Sequence, residues 1–229
     1  MIDLILNEPQ LLFSLALTAK TCLVTLALFL VAGPLAGYYL ARAPGVAPRV
    51  LGFIITIPLV FPPVALGYML LTALGRTSLV GGALEPFGLS LIFNETAVAL
   101  AGFIAGLPLV VRPLQAAFAS PRLIELEEAA RIHGAGRRDV LLRITLPLVR
   151  PSLAAALLLG CARVSGEVGI TMMLGGNISE RTNTLSLEIF NAVSRADFDA
   201  ANALCLLLSL FAAVIFLAAE LLIRRSPRL

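Results

Sequence analysis

From Leu11 to Leu40 the chain carries one charged side chain, Lys20. A stretch of that kind limits the fold before anything else is known. Crossing a bilayer core of about 30 Å takes about 20 apolar residues in a helix, and a backbone without water around it must satisfy its own hydrogen bonds. Four more stretches have the same character, roughly 51–74, 96–118, 151–174 and 201–223. Charged residues make up only 14% of the chain and the mean hydropathy is +0.96, whereas soluble domains carry about 25% charge. The sequence therefore predicts an all-α, polytopic membrane helical bundle of about five transmembrane helices, one domain over residues 1–229, seated in a lipid bilayer. The start of the chain holds Asp3 and Glu8 and no basic residue. A secretory signal wants a basic start and a short apolar core, so the first stretch reads as a retained membrane helix.

The basic residues set an orientation. With the N-terminus outside, the inner segments hold Arg42, Arg49, Arg112, Arg122, Arg131, Arg137, Arg138, Arg143, Arg150, Arg224, Arg225 and Arg228. The outer segments hold Arg76, Arg181 and Arg195. This bias predicts an extracytoplasmic N-terminus and a cytoplasmic C-terminus. It also explains the net charge of +3 without nucleic acid as a partner.

Several features lie within the apolar stretches. Gly33 and Gly37, like Gly102 and Gly106, have the spacing that lets helices approach closely. Pro58, Pro62 and Pro63 predict a broken or kinked second span. Broken helices at membrane depth are tolerated where they are buried or line a cavity, so Pro62 and Pro63 read either as a gate or pathway element or as a packing kink. Arg163 and Glu167 lie four apart in the fourth stretch, on one helix face. Two readings stand: a translocation pathway in which Arg163 eases passage of a dianion, or a structural ion pair. Lys20 reads as a side chain snorkelling along a long helix. Residues 182–200 are too polar to span and predict a short helix at or dipping into the outer face.

The charge that the spans lack is concentrated at 121–150. Ser120-Pro121 reads as a capping hydroxyl followed by Pro at the first helical position. Helix formers follow to His133, and Gly134-Ala135-Gly136 predicts a turn. Arg137 to Leu146 reads as a second short helix, with Pro147 and Pro151 at the entry to the fourth span. The first helix has an apolar side (Leu123, Leu126, Ala130) and a charged side (Glu127, Glu128, Arg131). A helix–turn–helix tied at both ends to membrane helices is a lever suited to docking on a soluble partner, or else a solvated loop that obeys the charge bias. Its acidic cluster and its two tethers argue against a DNA reader.

The spacing of Glu128-Ala129-Ala130, Gly134, Ile144 and Leu146-Pro147 resembles the EAA loop of ABC importer permeases. The stretches 57–76, 106–113 and 162–193 resemble molybdate permease subunits, and the GEVG…MMLGGNI segment also resembles tungstate permeases. The resemblance implies a membrane subunit working as a pair in the bacterial inner membrane. It also implies two copies of a cytoplasmic ABC ATPase subunit below and an extracytoplasmic substrate-binding protein above. Glu127, Glu128, Ala129, Ala130, Gly134, Ile144, Leu146 and Pro147 would form the ATPase-coupling loop. The implied cargo is molybdate, with tungstate and sulfate as the alternatives; an ATP-independent channel or scaffold is the reading from another class.

The chain itself offers no chemistry of bond making. A phosphate-binding loop needs its Gly-Lys-Ser/Thr ending, and the single lysine, Lys20, has no Gly before it. No catalytic residue, cofactor or metal is expected. One histidine, His133, cannot build a metal site, and Cys22, Cys161 and Cys205 each lie alone in apolar surroundings.

Overall fold

The computed structural model describes residues 9–87 and 90–224. Asp3 and Glu8, and Arg225 and Arg228 of the basic C-terminal segment, lie outside the described residues. Among those described, every regular element is a helix. Helix α1 (Pro9–Arg42) is followed by α2 (Val46–Val60), α3 (Pro63–Leu74), α4 (Leu79–Leu84) and a single 3-10 turn at Glu85–Phe87. Then come α5 (Glu95–Phe118), α6 (Pro121–Ile132), α7 (Arg137–Val140), a π-helical turn at Leu141–Thr145 and α8 (Leu146–Ser165). Helices α9 (Gly169–Gly175), α10 (Leu185–Ser194) and α11 (Phe198–Arg224) complete the chain.

Among the described residues, five helical stretches have the length and apolar character to cross a membrane: Pro9–Arg42, Pro63–Ala83, Glu95–Phe118, Arg137–Ser165 and Phe198–Leu217. Helices α1, α5 and α11 cover the apolar stretches 11–40, 96–118 and 201–223. The other two stretches are interrupted. At 51–74 the backbone leaves the helix at Phe61 (φ −76°, ψ 143°), because two prolines in succession disfavour the helical region before them and remove two backbone donors, and Pro63 opens α3. Pro58 stays within α2. At 151–174 the helix stops at Gly166 and resumes at Gly169.

Helix α5 is the hub. A main core brings Cys22 and Phe29 of α1 against Val110, Leu114 and Phe118 of α5 and Ala156 and Val164 of α8. A second core joins Leu66 of α3, Ala97, Ala101 and Ala105 of α5, and Ile170 and Leu174 of α9. The spaced glycines work inside this bundle. A Cβ on Gly33 would meet Val110 at 2.7 Å, and one on Gly37 would meet Leu114 at 2.8 Å. Gly102 faces Val164, and Gly106 faces Phe29. Both pairs therefore serve close approach of helices within one chain.

Polar side chains tie the helices where apolar packing alone does not. Arg112, counted from sequence among the inner-loop cations, lies inside α5. It donates to the carbonyl of Gly52 at 2.7 Å, to Thr56, and to Gln115 at 2.8 Å, fastening α2 to α5. Lys20 pairs with Glu95 at the first residue of α5, a partner that the snorkelling expectation did not foresee. Segment 182–200 is more deeply packed than expected. Leu185, Leu187 and Ala192 of α10 are fully buried, and the Leu185 N–H donates to Thr18 of α1 at 2.9 Å. Glu188 accepts from Gln10 and Asn183, each at 2.8 Å.

Candidate functional site

The charged insert folds as a lever. Ser120 is extended (ψ 127°), but its hydroxyl makes no capping bond; Pro121 alone opens α6. At the other end Ala135 N–H bonds to Ala130 C=O at 2.9 Å and Gly134 N–H to Arg131 C=O at 3.0 Å. These two bonds are those of a Schellman ending, which satisfies the last carbonyls of the helix. Gly134 sits at φ +85° with nothing within 4 Å of where a Cβ would be. Its glycine is required by backbone conformation and not by crowding. Helix α7, the π turn and α8 then run on without a stop from Arg137 to Ser165. Pro147 and Pro151 do not end the second lever helix: Pro147 stands two residues past the π turn, and Pro151 lies inside α8. The lever is thus covalently and helically continuous with a membrane-length helix.

Burial on α6 differs from the expected two-sided pattern. Leu123 and Glu127 are its buried residues, at 3% exposure each, while Glu128 and Ala129 are exposed and Ala130 is half-buried. Leu126, expected on the packed side, is exposed, and Ile132 at the tip is 84% exposed. Glu127 is drawn inward because its carboxylate has partners there. Its Oε1 accepts from Thr145 Oγ1 at 2.6 Å, and its Oε2 lies 3.0 Å from Arg42 Nη2 and 3.8 Å from Arg131 Nη2. Ile144 packs partly buried on the main core. Pro147 is half-buried and Leu146 exposed.

The second cluster forms where two helices break. A Cβ on Gly169 would lie 2.7 Å from Pro63 Cβ and 2.9 Å from Val64 N; one on Gly67 would lie 3.0 Å from Ile170 Cα. The break at Phe61-Pro62 and the break at Gly166–Val168 are therefore side by side. Pro62 and Pro63 are exposed. Arg163 Nη2 is 2.5 Å from Glu167 Oε2, so the expected pair forms. It does not lie on one uninterrupted helix face, however, because Glu167 stands beyond the end of α8. Its Oε1 accepts from Ile170 N–H at 2.7 Å and so satisfies a free donor at the start of α9. Glu167 is buried at 2% exposure and the Arg163 side chain is 26% exposed. The cation therefore keeps an open side while the carboxylate does not.

Sequence reading brought out the EAA residues, the prolines and the Arg163–Glu167 pair. It missed Arg42 and Thr145, which hold Glu127. The available signal was Arg42 at the end of the first apolar stretch, next to a lever that carried two adjacent glutamates. Among the described residues no group of three His, Cys, Asp or Glu side chains could hold a metal ion.

A charged lever continuous with a membrane-length helix, whose far end leads to two broken spans packed together, has the architecture of a membrane transport subunit. Residues 33–228 match the family model of the inner membrane component of binding-protein-dependent transport systems, and the chain belongs to that family. The molybdenum transport system permease protein ModB of Azotobacter vinelandii is 34% identical over 190 residues, covering 82% of this chain and 84% of that protein. The ModB of Mycobacterium bovis is 38% identical over 214 residues, covering 93% of this chain and 80% of that protein. A crystal structure of a bacterial alginate ABC transporter, in complex with its alginate-bound periplasmic protein, superimposes with a TM-score of 0.75. It is 20% identical and covers 97% of this chain and 81% of the matched chain, a likeness of fold.

Proposed function

We propose that this chain is the permease subunit of a binding-protein-dependent ABC importer that carries an oxyanion, with molybdate as its cargo. The observation that carries the mechanism is the lever. Helix α6 ends in a glycine-closed turn and continues through α7 and the π turn into α8. A push on its exposed residues is thereby delivered to a membrane-length helix. The relatives named for molybdenum transport, at 34% and 38% identity over most of this chain, support the cargo.

In this reading five spans cross the inner membrane, with the N-terminus outside and the C-terminus in the cytoplasm. Two copies of the chain form the pathway. Two ATPase subunits seat on the two levers, and a substrate-binding protein delivers the anion from the other side. Glu128, Ala129 and the tip residue Ile132 make the contact with the ATPase, Glu128 by charge and Ala129 by allowing close approach. Gly134 sets the angle of the lever, and Ile144, Leu146 and Pro147 seat its base. Nucleotide binding draws the levers together and biases a bistable membrane interface toward one facing; hydrolysis returns it.

Arg163, whose side chain is 26% exposed, serves the passing dianion. Glu167 balances its charge at rest and holds the start of α9. Bond cleavage belongs to the ATPase subunit.

The test is uptake of radioactive molybdate by cells that lack this gene, complemented with the natural chain or with Glu128→Arg. Uptake restored by the natural chain, blocked by excess tungstate but not by excess sulfate, and lost in Glu128→Arg at equal membrane abundance is the expected result. Uptake that never depends on this chain would remove the cargo assignment. Uptake that survives Glu128→Arg would remove the coupling role of that residue.

A further inference from the structure

Two adjacent glutamates open the EAA segment, and the structure gives them opposite surroundings. Glu128 points away from the bundle, whereas Glu127 is 3% exposed and touches three elements. Thr145, on its Oε1, is the last residue of the π turn that leads into α8. Arg42, on its Oε2, is the last residue of α1. Arg131 is one turn further along α6 itself. The other buried residue of α6, Leu123, lies four positions earlier on the same face. The lever is thus attached at two points, an apolar one at Leu123 and a charged one at Glu127. Leu123 belongs to the main core, which includes Val149 of α8, whereas Glu127 makes the polar contacts, to Arg42 of α1 and to Thr145 at the base of α8.

The chemistry of that attachment suits transmission better than simple adhesion. A buried carboxylate gains its stability only while its partners stay in place, and removing one of them leaves an uncompensated charge. Arg42 is held by little else: its Nε is buried without a partner, and its guanidinium sits 6.0 Å from the ring centre of Tyr38. The Thr145 hydroxyl lies 2.6 Å from Glu127 and 3.3 Å from the carbonyl of Val140, five residues back at the end of α7. A π turn is a place where a helix has changed its hydrogen-bond register, and such turns recur at functional sites.

We propose that Glu127 is the positioning residue that joins the lever to α1 and α8, so that displacement of α6 moves both helices together. This rests on the permease reading above, but it assigns Glu127 a task inside the chain and leaves contact with the ATPase to its exposed neighbours. In this scheme Glu127 neither docks a partner nor meets the cargo.

The experiment uses the whole importer reconstituted in liposomes, with ATP hydrolysis and molybdate uptake measured on the same preparation. Glu127→Gln keeps an acceptor for Thr145 and loses the charge that Arg42 needs. The expected result is full retention of the ATPase subunit, with uptake per ATP hydrolysed lowered at least fivefold. Thr145→Ser should stay near the natural value while Thr145→Val falls.

Three results would overturn the proposal: an unchanged ratio in Glu127→Gln, loss of the ATPase subunit from that variant, which would make Glu127 a docking contact, or equal ratios in Thr145→Ser and Thr145→Val. If the Glu127→Gln chain itself does not fold, the Thr145 comparison decides. Absence of molybdate uptake by the natural complex would strike the cargo assignment instead. The relay would then be read from ATP hydrolysis with and without the binding protein, where Thr145→Val should lose the response that Thr145→Ser keeps.

Discussion

Gly169 and Pro63 meet so closely that a Cβ on the glycine would stand 2.7 Å from the Cβ of the proline. The next nearest atoms are backbone, Val64 N at 2.9 Å and the Pro63 carbonyl carbon at 3.0 Å, and backbone cannot swing aside. The two interrupted spans are therefore locked together at their interruptions.

Gly169→Ala should force these segments apart. Overpacking of this kind costs about 1–3 kcal/mol, and thermal unfolding of the detergent-purified chain should show it as a lowered midpoint. Gly166→Ala is the control three residues earlier. The nearest atom to its Cβ would be 3.7 Å away, so its midpoint should match the natural chain. Equal midpoints for the two variants would mean that the breaks are not in contact.

Glu167 has two tasks that substitution can separate. Glu167→Gln keeps an oxygen for Ile170 N–H and loses the charge opposite Arg163; Glu167→Ala loses both. Leaving a buried donor unsatisfied costs about 1–3 kcal/mol, so the alanine variant should unfold at a lower denaturant concentration than the glutamine variant. Uptake reports on the charge: Arg163→Gln in a folded, assembled complex should lower molybdate uptake at least tenfold. Normal uptake in that variant would reduce the pair to a structural one.

Much of this architecture was legible because it rests on local rules. Pro62 and Pro63 in succession remove two backbone donors and disfavour the helical region before them, so a break in the second span was readable, as was the turn of the lever at Gly134. The break at Gly166–Val168 was hidden, because hydropathy runs on through Val168-Gly169-Ile170 and a single carboxylate does not announce the end of a helix. The choice between Glu127 and Glu128 was equally hidden. They differ by one position, and only the arrival of Arg42 and Thr145 from distant parts of the chain decides which one is buried. Helix α10 failed the test for a surface helix for a related reason. Glu188 faces partners on α1 and Asn183, Ser186 the carbonyl of Ser165, and Asn191 the side chain of Asn177, so a count of polar side chains overstates its contact with water.

Gly134 offers a test of the lever that leaves the bundle alone. At φ +85° an L-residue with a Cβ is strained by about 1–2 kcal/mol, and nothing around the position compensates. With nothing packed on the turn, Gly134→Val should relieve that strain by changing the angle of the lever, leaving the unfolding midpoint of the bundle close to the natural one and lowering uptake and the retained amount of ATPase subunit. Gly134→Asn should lie between, since asparagine tolerates this conformation better. Natural uptake in Gly134→Val would show that the angle between α6 and α7 does not matter for coupling.

Phe29 sits in a layer that three helices share. It is fully buried, stacks on Phe103 at a centroid distance of 5.4 Å, and lies within 2.6 Å of a Cβ on Gly106 and 3.0 Å of a Cβ on Gly160. Helices α1, α5 and α8 can pack at this depth only because both glycines leave room for one ring. Gly106→Ala should therefore destabilise by about 1–3 kcal/mol through overpacking, and Phe29→Leu by a comparable amount through the space it opens. The two changes act on the same volume. Their combination should be less harmful than the sum of the single variants, with a coupling of about 0.5–3 kcal/mol in a double-mutant cycle. Denaturant unfolding of the four proteins measures it. Simple additivity would mean that the ring does not fill the gap at Gly106, and the account of how the lever's helix α8 is held against α1 and α5 would have to change.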